Sequence, residues 1–197
     1  HHGIPNNSWA WHPYTAAERV INILIFAQNE GLPGPIDNCL QILALHGPAI
    51  ANQLEYFGDH HTSNHLANNG RGLFFLGLSL NMPNSTRIGS SILIKEAERI
   101  FASSGVLREG STHYHALLGA NYNQCATIAS KRGHPATQAL EQIAKRANAV
   151  TKYFKLPGGF PLIGDISPDS PPKSVLNINL TTKKVDTNAL AKDGWHR

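Results

Sequence analysis

Apolar positions recur at helical spacing along most of this chain, between breaks rich in glycine and proline. Trp9, Trp11 and Pro13 show no periodicity and read as a docked irregular segment. Thr15-Ala16-Ala17-Glu18 has the form of a capping box. The helix it would start places Val20, Ile21, Leu24 and Ile25 on one face and ends near Asn29. After Gly31-Leu32-Pro33-Gly34-Pro35, a second helix is predicted over residues 37–57, kinked or split at Gly47-Pro48 and ended by Gly58. A third runs from a Thr62 or Ser63 cap to about Leu80. It contains Gly70, Gly72 and Gly77, each costing roughly 1 kcal/mol relative to alanine, a cost tolerated where another backbone approaches closely.

A fourth helix, over 86–102, carries Ile88, Ile92, Ile94 and Ile100, with Gly105 as its stop. Ser111 or Thr112 caps a fifth that reaches about Lys131. Beyond Gly133-His134-Pro135, a sixth bears the stripe Leu140, Ile143, Ala147, Val150 and Phe154. Prolines and glycines from Pro157 onward forbid a continued helix, and residues 174–180 alternate as one candidate strand. The expected class is therefore all-α, built of stacked antiparallel helical hairpins. Residues 1–155 form the helical domain, and 156–197 a linker or the start of something further.

Composition narrows this picture modestly. Apolar residues make up 41% and charged residues 15%, so the chain has enough apolar material for a core. The net charge of +4 comes from scattered lysines and arginines. Nucleic-acid binding asks for a clustered basic stripe with stacking aromatics, and none is visible. Cys39 and Cys125 fit no metal or redox spacing and read as inert thiols. No apolar run reaches membrane-spanning length. Eleven histidines against one methionine direct attention to chemistry near neutral pH.

The densest chemistry lies in residues 59–69, where His60, His61 and His65 stand among Asn64, Asn68 and Asn69. Such groups sit poorly in an apolar core. They suit a cleft that binds an anion and moves protons. His61 and His65 share a helix face, which is also the spacing of a two-histidine metal site; the zinc-hydrolase pattern, however, needs a glutamate where Thr62 stands. A second constellation is Glu109-Gly110-Ser111-Thr112-His113-Tyr114-His115. There Tyr114 falls in the first turn of a helix, where the macrodipole favours a phenolate and suits the group to acid or base work. Capping and packing are the plainer roles for both stretches. The carboxylates of residues 160–169 read as turn caps.

These stretches together resemble the heparinase II/III-like polysaccharide lyases, whose α/α-toroid domain precedes a β-sandwich. The family's Asn-His pair near a helix start matches Ser63-Asn64-His65-Leu66-Ala67-Asn68, and a glutamate closing the previous helix matches Leu54-Glu55. Its Glu-x-Ser-x-x-Tyr-His element matches Glu109 to His115 without a gap. The tract 162–169 looks like the connection toward the sandwich. One departure is Val106-Leu107-Arg108, where an acidic Asp-Gly-Ser often precedes the glutamate.

The resemblance implies an incomplete α/α toroid, a fragment whose irregular tail leads toward a missing β-sandwich, its partner within the same protein. It also implies β-elimination on an acidic, uronate-containing polysaccharide, without a cofactor. Asn64 and His65 would neutralise the sugar carboxylate, and Tyr114 would protonate the leaving oxygen. His60, His61, Asn68, Glu109, His113 and His115 would contact substrate, with His115 the strongest of the cleft-lining histidines. A lyase of this kind is expected in the periplasm, secreted, or at the cell envelope. Two alternatives stand beside it: a catalytically silent glycan-binding or scaffold protein of the same fold, and a metal-dependent enzyme using the histidine cluster.

Overall fold

The computed structural model describes residues 4–60, 64–166 and 185–196. After a 3-10 turn (Trp9–Trp11), seven α-helices follow among those residues: α1 (Pro13–Glu30), α2 (Ile36–Ala51), α3 (His65–Leu80), α4 (Pro83–Ile100), α5 (Thr112–Lys131), α6 (Thr137–Phe154) and α7 (Thr187–Lys192). The described residues hold isolated β-bridges but no strand, so the all-α class holds. The candidate strand at 174–180 and the Thr62 or Ser63 cap lie outside the described residues. The chain divides into two compact units, His1–Glu96 and Ala97–Arg197.

In the first unit α3 packs on α1, α2 and α4, and its glycines are what let the neighbours in. A Cβ at Gly72 would lie 2.6 Å from that of Ala17 on α1, and one at Gly77 2.4 Å from the Thr86 nitrogen on α4. At Gly70 it would meet Ile92, 2.7 Å away, while Gly89 of α4 presses equally close on the Phe74 backbone. The close approach expected of these glycines is thus their use. Ala16, Ala17, Ile50 and Leu73 form the core between the helices.

Three expectations for the first helix need correction here. The helix expected at Thr15 begins instead at Pro13, where a missing N–H costs nothing. Glu18 caps no amide and pairs with Arg71 at 3.0 Å. The expected apolar face also loses Ile25, which is at the surface with Phe26.

The second helix was expected to run to Phe57 and to kink or split at Pro48, but it stays continuous through Pro48 and ends at Ala51. A proline this near the C-terminus removes only one ladder bond. The backbone beyond is drawn into other partners: the Glu55 N–H donates to the Asn69 side chain rather than to a helical carbonyl. Gly58, with φ of +90°, is a loop residue rather than a helix stop.

The outer faces of α1 and α2 leave an apolar groove of about 1090 Å³, with Arg19 and His46 in its wall. His46 is buried, donating from Nδ1 to the Ile42 carbonyl while Nε2 meets Arg19.

In the second unit α5 and α6 pack as a hairpin. The five apolar positions expected on the sixth helix are all buried. Helix α4 stops at Ile100, two residues before the expected end, because Phe101 bridges Leu107 and the Ala102 N–H donates to the Val106 carbonyl. Gly105, at φ +90°, makes the tight turn of that small loop. The tail also belongs to this unit: Leu190 of α7 is fully buried against Val150 and Phe154, and Trp195 stacks 4.6 Å from Phe154. Among the described residues no helix is long and apolar enough to cross a membrane.

Candidate functional site

The site in the first unit is built around one buried carboxylate. Glu55 lies beyond α2 in an irregular segment, where the Tyr56 N–H donates to the Leu54 carbonyl, and is 5% exposed. Its Oε1 accepts from His65 Nδ1 at 2.8 Å, and its Oε2 from Asn69 Nδ2 at 2.9 Å. Asn69 closes the loop by accepting the Glu55 N–H at 3.0 Å. The sequence matched Leu54-Glu55 to the close of a helix; in the fold Glu55 lies beyond the helix end, free to reach α3. Burial alone would raise its pKa, but hydrogen bonds from His65 and Asn69 outweigh that, and with the adjacent His65 and His12 rings hold it below the ordinary 4.5.

His65 opens α3, and its ring leans on Tyr14 at 4.6 Å between centroids. Its side chain is half-exposed. Because a carboxylate accepts at Nδ1, the Nδ1–H tautomer is the one held, and the ring is fixed in orientation. The neutral imidazole can then take a proton at Nε2, and the protonated one can donate to an anion. Asn64 directly precedes it at the N-cap position, partly exposed. Asn68 is buried beneath; its Nδ2 points at the Tyr14 carbonyl at 3.5 Å, and its Oδ1 meets no donor among the described residues. His60 is exposed in the preceding turn, beside Asp59, which accepts from the Tyr56 hydroxyl. His61 lies outside the described residues.

The second predicted constellation belongs to the second unit. Ser111 caps α5 as expected, its Oγ accepting the Tyr114 N–H at 3.0 Å and donating to the Asp165 carbonyl at 2.6 Å. Thr112 Oγ1 donates to the Pro161 carbonyl and accepts the Ile163 N–H. Gly164 fits closely over Gly110, where a Cβ would meet its carbonyl at 2.7 Å. The tract from Phe160 to Asp165 is therefore a strap over the head of α5, which holds Tyr114 half-buried in the first turn. Glu109 is exposed and His113 is buried, 6.0 Å from the Tyr114 ring.

His115 does not line a cleft. It is fully buried, its Nδ1 accepts the Leu107 N–H at 3.1 Å and its Nε2 donates to the Ala147 carbonyl at 2.8 Å. Burial pushes its pKa down to about 4 against a weaker opposing effect of the Ala147 bond. It is a neutral strut between α5, α6 and the loop before α5.

Thus His65 bonds to Glu55 in one unit, with Asn64 and Asn68 beside it on α3, while Glu109, His113, Tyr114 and His115 stand in the other. Sequence reasoning missed Tyr14, His12 and Asn69 as parts of the first site. Asn69 alone had a visible signal, its place in the dense polar run. Among the described residues no group of three or more His, Cys, Asp or Glu side chains is placed to hold a metal ion.

Comparison with protein-family models, characterised proteins and solved structures finds no match to this chain.

Proposed function

We propose that this chain is the helical part of a heparinase II/III-type polysaccharide lyase acting on uronate-containing polysaccharide by β-elimination. The observation that carries the reading is the buried Glu55 carboxylate holding His65 by one nitrogen. That ring is half-exposed and directly follows Asn64 in the chain. An oriented imidazole beside an amide is what neutralising a sugar carboxylate calls for, because the C5 proton becomes acidic only when the developing enolate charge is stabilised.

In this mechanism Asn64 and His65 take the carboxylate, and Glu55 keeps the His65 ring in place. A base removes the C5 proton, the bond from C4 to the glycosidic oxygen breaks, and the double bond forms between C4 and C5. Tyr114 gives its phenolic proton to the departing oxygen, after serving as the base itself where the elimination is syn. A sandwich domain of the same protein would supply further groups around the sugar. Exposed His60 suits substrate contact better than buried His113 or His115.

The test is a screen of acidic polysaccharides for new ultraviolet absorbance from unsaturated uronates. On the glycan that responds, Asn64→Ala, His65→Ala and Tyr114→Phe should each lower kcat by about 100-fold or more. Glu55→Gln should cost about 10- to 100-fold through a loosened His65. Wild-type rates in the Tyr114→Phe protein would defeat the mechanism, and glycan binding that persists without turnover would favour the silent scaffold.

A further inference from the structure

Glu55 serves a second imidazole. His12 Nε2 stands 3.8 Å from Oε1, the same oxygen that His65 Nδ1 reaches at 2.8 Å. His12 occupies the N-cap position of α1 yet makes no capping bond with its side chain, so the ring is not spent on the helix end. It is about one-third exposed, and His65 about one-half. Each ring is backed by an aromatic: Trp9 lies 5.5 Å from His12, and Tyr14 4.6 Å from His65. Trp9 itself is 83% exposed, a large apolar surface that the fold leaves beside a polar cluster.

One carboxylate offsets one imidazolium. With both rings protonated the group keeps a net positive charge at the surface, anchored from below by a buried anion that Asn69 holds still. Each ring turns one nitrogen to Oε1, so an anionic group would be met by the other nitrogens, His12 Nδ1 and His65 Nε2, and the neighbouring indole offers a flat apolar face to the sugar ring that carries it. We propose that His12 is a substrate-binding residue of this site, pairing with His65 on the acidic group of the sugar, and that Trp9 stacks against the sugar ring. The identity of that ligand as a uronate rests on the lyase reading above.

The experiment is steady-state kinetics on the acidic polysaccharide selected by the ultraviolet screen, with His12→Gln, His12→Arg and Trp9→Ala proteins. His12→Gln should raise KM about tenfold, as loss of one charge-assisted hydrogen bond does, with kcat within about twofold. His12→Arg, which restores a cation, should bring KM back to within about threefold of wild type. Trp9→Ala should raise KM without changing kcat. Unchanged KM in His12→Gln would overturn this inference and leave the lyase reading standing, and so would a fall in kcat that arginine does not rescue. If the wild-type protein cleaves no acidic polysaccharide, the lyase reading falls and this assignment falls with it.

Discussion

Three buried groups make the fold sensitive to acid, the two histidines in a higher pH range than the carboxylate. The His115 pKa is depressed to about 4 from 6.5, so the folded protein refuses a proton that the unfolded chain accepts. That stability is complete above pH 6.5 and is lost as pH falls from there toward 4, on the order of 3 kcal/mol. His46, also depressed by burial, adds a loss that begins in the same range. Glu55 behaves otherwise: its lowered pKa stabilises the fold above 4.5, and this is lost only as pH drops through the folded value. Denaturant midpoints followed from pH 8 to 4 should therefore decline in wild type and flatten in His115→Gln. An equal slope in both proteins would contradict the buried neutral ring. His115 also shows where residue types mislead. A histidine in a motif reads as chemistry, but its two backbone bonds reach residues 8 and 32 positions away and leave no mark on the motif itself.

Helices were legible where their own residues decide the outcome, and their ends were not where a partner decides. The α5 cap at Ser111 and the α6 stripe follow from local pattern, and both are found. The end of α2 is set by Asn69, which lies 14 residues beyond Glu55 and takes its N–H. The glycines of α3 were readable as a packing signal but not as to which helix they admit. Gly77→Ala would put a methyl 2.4 Å from the Thr86 nitrogen, and Gly72→Ala one 2.6 Å from the Ala17 Cβ. Although alanine is the better helix former by about 1 kcal/mol, each substitution should destabilise the protein by about 1–3 kcal/mol. Urea unfolding checks this, and a stabilised Gly77→Ala protein would mean that α3 and α4 are not in close contact.

Each of the two units carries its own core. The first leaves Phe26, Ile36 and Leu40 on exposed faces of α1 and α2, a patch of the kind that marks interaction surfaces. The second draws its tail back: Leu190 closes an apolar cluster with Val150 and Phe154, and Ser104 donates its N–H to Asp193. Leu190→Ala should lower the stability of that unit by about 2–5 kcal/mol, as other emptied core positions do. Near-wild-type melting would mean that α7 is only loosely attached.

Helical periodicity, turn residues and the density of His and Asn in 59–69 are properties of neighbouring residues, so the all-α class and the polar character of that stretch were readable in the chain alone. What a side chain does there depends on groups distant in sequence. Glu55, which was expected near the close of a helix, is the buried anion on which His65 and His12 both rest. His115, which looked like part of a cleft, is a core strut. Hydrophobic spacing is repeated many times along a helix and survives any single exception. A polar contact between residues 10 or 43 positions apart is made once, and only folding brings its two ends together.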